Sequence, residues 1–152
     1  MAPWTEDQAL KNSLVENALY TAMHFSKDLA HTDAITDQFD IPMSGIQLMF
    51  AIEEEPLTVG EIAAYMDVHK PNVAPIVNTL EENGYIERKP STEDRRKTYI
   101  ALLPKGKETC QSIREVIVEQ LISSNSVKSM TEAKSVNQAL GTLVKTMKRK
   151  RK

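Results

Sequence analysis

The chain has 152 residues, enough for one compact domain with a helical appendage, and its formal net charge of −2 excludes a uniformly basic nucleic-acid coat. Aromatic residues make up only 5%, low for an all-β protein, and no apolar run approaches a membrane span. The charge is unevenly placed: residues 1–66 carry two cations against eleven carboxylates, residues 67–107 eight against six, and residues 145–152 six cations and no anion.

In chain order, Thr5 and Gln8 have the spacing of a capping box, and apolar residues recur at Leu10, Leu14, Ala18, Ala22, Phe25 and Leu29. This predicts a long amphipathic helix, widened on its apolar side by Val15, Leu19 and Met23. An acidic link, "HTDAITDQFDIP", follows it. Ser44 and Gln47 form a second capping box, which predicts a core helix carrying Ile46, Met49, Phe50 and Ile52 and ending near Pro56.

Thr58 and Glu61 make a third box, opening a short helix with Ile62, Ala63 and Met66. After a tight connection, Val73, Ile76, Val77 and Leu80 fall at i, i+3, i+4 and i+7 of another helix, with Gly84 where a left-handed terminal residue belongs. Tyr85 to Lys89 and Lys97 to Leu103 read as two strands joined by the charged tip "STEDRR". Helical periodicity returns from Pro104 through Ile113, Val116, Ile117, Gln120 and Leu121, breaks at "SSNSVKS", and resumes after Met130 with Val136, Leu140, Leu143, Val144 and Met147. Apolar helices at both chain ends need partners, and two-fold dimerisation buries such faces economically.

Helix, helix and two-stranded hairpin is the order of a winged helix. From about Ile41 to Gly106 the chain resembles the MarR family of transcriptional regulators. Leu80, Gly84, Ile86 and Arg88 fall on the family's leucine, glycine, aliphatic and arginine positions, while Asp94, Arg96, Leu102 and Gly106 reproduce its wing pattern. The resemblance implies a dimeric winged-helix DNA-binding regulator, often a repressor released by a small ligand, acting on a pseudo-palindromic double-stranded operator. Leu103 departs from the threonine usual before the next helix, although Pro104 suits a first helical position.

The expected fold is mainly α (α+β). Residues 1–40 form an N-terminal dimerisation helix and link, 41–106 a winged helix-turn-helix with a two-stranded wing, and 107–152 C-terminal dimerisation helices with a basic tail. On the second helix of the motif the apolar stripe turns inward and leaves Lys70, Pro71, Asn72, Ala74, Pro75 and Asn78 as the expected DNA-contacting face, with Thr79 beside them. Ala74 and Pro75 stand where the family often has polar or basic residues, so base readout there is expected to be sparse. In the wing, Arg88, Asp94, Arg95, Arg96 and Lys97 complete the set. Guanidinium groups on a projecting loop suit a narrow minor groove, and Asp94 and Glu93 are expected to aim them. The plain alternative is a solvated charge cluster.

His24, Asp28 and His31 share one helical face at metal-ligand spacing, but no fourth ligand is visible and a polar stripe is the simpler reading; neither metal nor cofactor is expected. Cys110, the single cysteine, excludes an intrachain disulfide framework and fits a reducing, cytoplasmic compartment; it reads as a small buried residue, with thiolate sensing beside Lys105 and Lys107 as the alternative. The start "MAPWTEDQAL" lacks the pattern of a secretory signal. No nucleophile motif or phosphate loop points to an enzyme, and a winged helix used only for protein interaction is the main rival to DNA binding.

Overall fold

The computed structural model describes residues 7–10, 12–17, 32–123 and 128–149. Thr5, most of the predicted first helix beyond residue 17, the His24–Asp28–His31 face and Lys150 to Lys152 lie outside the described residues. The chain forms two compact units, Met1–Ala30 with Ile117–Lys152, and His31–Val116.

The second unit opens with α1, Thr32–Phe39. Here the structure departs from the expected acidic link: Thr36 Oγ donates to the Asp33 carbonyl at 3.0 Å, and Ile35 is buried as an anchor among acidic neighbours. Helix α2, Met43–Ala51, begins at Pro42, whose extended backbone serves as N-cap without any side-chain bond. The capping box expected at Ser44 and Gln47 is therefore not formed, because Ser44 already lies inside the first turn. Of the expected apolar stripe, Ile46, Met49 and Ile52 are buried and Phe50 is half-buried, while Leu48, outside that stripe, is fully buried.

Strand β1 is only Leu57–Thr58. It runs into α3, Val59–Met66, through the predicted box: Glu61 Oε2 accepts from the Thr58 amide at 2.8 Å, and the Glu61 amide donates to Thr58 Oγ at 3.3 Å. Asp67 ends α3 with φ of 56°, a left-handed position that aspartate tolerates. Helix α4, Lys70–Glu82, follows after His69 and terminates at Asn83, with Gly84 at φ of 74° reversing the chain.

Strands β2, Ile86–Pro90, and β3, Thr98–Leu102, pair antiparallel with Arg88 opposite Ile100, and β1 joins the other edge of β3 with Leu57 opposite Ile100. The sheet order is β1-β3-β2. Helix α5, Pro104–Ser123, starts where Pro104 suggests. Gly106 lies against the chain after α4: a Cβ there would stand 2.3 Å from the Tyr85 carbonyl oxygen. Ile46, Ile62, Val73, Val77, Leu80, Ile86, Ile100 and Ile113 form the core of this unit.

In the other unit, residues 8–10 and 12–17 are helical, and the Asp7 carboxylate accepts from the Leu10 amide at 2.9 Å. Helix α6, Met130–Arg149, is opened by Ser129, whose hydroxyl accepts from the Glu132 amide at 3.2 Å while Glu132 accepts from the Lys128 amide at 2.6 Å. Among the described residues of this unit none is buried. Leu10, Leu14, Val15, Val118, Leu143 and Val144 are all exposed.

Candidate nucleic-acid interface

Helix α4 is oriented by its own apolar stripe. Val73, Val77 and Leu80 are buried, which turns Lys70, Pro71, Asn72, Ala74, Pro75 and Asn78 to the exposed side. Pro75 lies inside the helix and has no amide to offer Pro71, while its own carbonyl accepts from Thr79 Oγ at 3.0 Å. Pro75 and Thr79 also border a shallow, mostly apolar depression of about 160 Å³, shared with Pro42, Gly45, Ile76 and Leu80. The side chain of Lys70 folds back over Gly60 in the first turn of α3, so close that a Cβ at Gly60 would meet Cε at 2.9 Å.

Two expected contact residues are held by each other. Arg88 Nη2 donates to Asn78 Oδ1 at 2.6 Å, and Arg88 Nη1 forms an ion pair with Glu81. This clasp joins α4 to β2 and spends much of the Arg88 fork inside the protein. Glu81 was not among the expected site residues. Its distance from Arg88 in sequence, across the Gly84 reversal, matches no local helical pairing rule.

At the wing tip the backbone closes on itself: the Ser91 amide donates to the Lys97 carbonyl and the Lys97 amide to the Asp94 carbonyl, both at 2.9 Å. Ser91 Oγ accepts from the Glu93 and Asp94 amides at 3.2 Å. Asp94 Oδ1 accepts from the Arg96 amide at 3.0 Å and stands 3.9 Å from Arg96 Nε. Asp94 thus shapes the turn chiefly through the backbone, and the Arg96 side chain, 95% exposed, projects into solvent. Arg95 and Lys97 are exposed as well. Glu93, expected to help aim the cations, makes no ion pair with another described residue. Among the described residues, the wing tip and the exposed side of α4 therefore present the exposed cations Arg95, Arg96 and Lys97, the exposed amide of Asn72 and an apolar surface.

Other cations near the motif are structural. Lys105 Nζ donates to the Asn83 carbonyl at 2.7 Å and lies 4.2 Å over the Tyr85 ring, closing the end of α4. Arg114 forms a two-pronged ion pair with Glu53 and stacks 5.0 Å over Phe50. Cys110 is fully buried, and burial, with the Glu53 charge adding to it, pushes its thiol up to about 11. That is the inert, small-residue reading; Lys105 is engaged elsewhere. No group of metal-ligating side chains occurs among the described residues.

Residues 48–98 match the model of the MarR family. The resemblance carried by Leu80, Gly84, Arg88, Asp94 and Arg96 is thereby borne out for this segment. The chain is 29% identical over 80 residues to the HTH-type transcriptional regulator SarZ of Staphylococcus saprophyticus, covering 52% of this chain and 55% of that protein. It spans about half the length, or less, of the curated relatives it matches. Among solved structures it resembles MepR, a transcription regulator of the Staphylococcus aureus multidrug efflux pump MepA, with TM-score 0.66, 20% identity, and 86% and 97% of the two chains covered. It also resembles wild-type apo MarR from E. coli, with TM-score 0.67, 17% identity and 84% and 94% coverage. At these identities the likeness is one of fold, and the fold is the winged helix of MarR-type regulators, mainly helical with a small antiparallel sheet.

Proposed function

We propose that the protein is a sequence-specific DNA-binding transcriptional regulator rather than an enzyme, acting as a homodimer in the cytoplasm. The observation that carries this reading is the wing tip: Arg95, Arg96 and Lys97 stand exposed on a turn stiffened by Ser91 and Asp94, beside an exposed α4. Cations fixed on a projecting hairpin suit phosphates and the minor groove, while the neighbouring helix fits the major groove. The regulators named among its relatives support the same role. No helix among the described residues is long and apolar enough to cross a membrane.

Dimerisation is supported by the terminal unit, where Leu10, Leu14, Val118, Leu143 and Val144 are exposed and no described residue is buried. A two-fold dimer places two α4 helices on half-sites about one helical turn, roughly 10 bp, apart or a multiple of it. Repression and its relief by a small-molecule effector are what the family resemblance implies. The test is selection of genomic fragments by the purified protein, followed by anisotropy titrations at several salt concentrations. A selected pseudo-palindrome bound with a steep salt dependence supports the reading. Salt-independent or absent binding would instead favour a winged helix that contacts only proteins.

A further inference from the structure

A helix in the major groove distinguishes bases by bidentate donors to guanine, by an amide to adenine, or by apolar contact with the thymine methyl. The exposed side of α4 is poor in the first and well supplied with the other two. Its sequence, KPNVAPIVNTLEE, contains no arginine. Its one cation, Lys70, folds over Gly60. The nearby Arg88 fork is held by Asn78 and Glu81. Guanine, which takes two donors at O6 and N7, therefore lacks a ready partner.

What α4 does offer is narrower. Ala74 and Pro75 expose a methyl group and a pyrrolidine ring, and neither side chain has a donor or an acceptor. The Thr79 hydroxyl proton is already given to the Pro75 carbonyl, which leaves a methyl group and an acceptor. Asn78 has its oxygen on Arg88. Asn72 is exposed and its side chain makes no hydrogen bond to another described residue, so both ends of its amide are available. An amide so placed accepts from adenine N6 and donates to N7.

We propose that α4 reads thymine-bearing base pairs, with Ala74 and Pro75 packed on thymine C5-methyl groups and Asn72 paired to a neighbouring adenine. This inference rests on the DNA-binding reading above and specifies what that surface recognises. Methyl recognition also accounts for the presence of Ala74 and Pro75, which are poor phosphate ligands, at the exposed centre of the helix.

Uracil pairs as thymine does but lacks the C5 methyl, so it tests the contact without touching the protein. In the selected operator each thymine of a half-site is replaced by uracil in turn, and affinity is read by anisotropy at fixed salt. At one or two positions per half-site the affinity should fall about four-fold, the factor associated with burial of one methyl group. Ala74→Gly should abolish the thymine–uracil difference at its own position, and Pro75→Ala, which cuts the ring back to one methyl group, should shrink it at its own. Asn72→Ala should lose roughly five-fold or more in discrimination at one adenine. Specific, salt-dependent binding that is indifferent to uracil at every position overturns the thymine readout alone. Absence of any salt-dependent DNA binding overturns both that readout and the DNA-binding reading.

Discussion

Asp94 shows how a negative charge can serve a surface meant for phosphate. Its carboxylate accepts from the Arg96 amide at 3.0 Å, so removing the side chain loosens the turn that presents three cations, even though the main-chain bond from Lys97 to the Asp94 carbonyl remains. Charge counting predicts that Asp94→Ala tightens DNA binding; the geometry predicts that it weakens it, and that Asp94→Asn, which keeps the acceptor, retains most of the affinity. Arg96→Ala should cost about 1–3 kcal/mol of operator binding, or, if the contact is to phosphate, reduce the salt slope by about one unit. Titrating these variants on one operator, with melting temperatures alongside, separates the accounts. Cys110 makes the opposite case of a reactive group withheld. With its thiol pushed up to about 11, native protein at pH 8 should resist disulfide-forming reagents and label fully only in denaturant. Rapid native labelling would contradict its buried placement.

At the scale of the elements, α3 and α4 differ in how well their own chemistry supports them. The Thr58 amide and hydroxyl both donate to Glu61, which lowers that carboxyl below its ordinary value of 4.5, with a smaller pull from Lys97. A lowered folded value means that the box stabilises above pH 4.5 and that its contribution is lost as pH falls through the folded value. Glu61→Ala should therefore lower the melting temperature at pH 7, and the gap to the wild type should narrow in acid. Helix α4 instead carries an interior proline, a feature that typically costs about 3 kcal/mol. Pro75→Ala restores a donor for the Pro71 carbonyl and should raise stability by about 1–3 kcal/mol, read from denaturant midpoints. If the same variant loses thymine discrimination, the proline is retained for recognition at the expense of the helix.

These elements also show what the sequence could disclose. The Thr58–Glu61 box, the Val73–Val77–Leu80 stripe and Gly84 each act within one or two turns, so local rules found them. Helix α1 escaped because Asp33, Asp37 and Asp40 crowd a segment with few buried anchors, Ile35 among them. Strand β1 has two residues and exists only because β3 pairs with it. At the site, exposure of the expected α4 residues was legible from periodicity, and that of Arg95, Arg96 and Lys97 from their place at a charged hairpin tip. The Arg88 clasp on Asn78 and Glu81 was not, because it is made by tertiary approach after the chain reverses.

For the whole molecule, the terminal unit poses the main energetic question. Exposed Leu10, Leu14, Leu143 and Val144 are unfavourable in water, and each apolar side chain fully buried in an interface is worth about 1.5–3 kcal/mol. Leu143→Glu, on the exposed side of α6, should shift light-scattering mass from about twice the chain toward one chain and weaken operator binding with it. An unchanged mass would remove α6 from the interface. A different hazard is met at the sheet. With strand order β1-β3-β2, the outer edge of β2 has no neighbouring strand among the described residues, and a bare edge invites a strand from another molecule. That edge reads Ile86, Glu87, Arg88, Lys89, Pro90: three charges in succession, then a residue with no amide proton to donate. The hairpin can thus stand away from the body without becoming a template on which wings of neighbouring molecules stack into fibres.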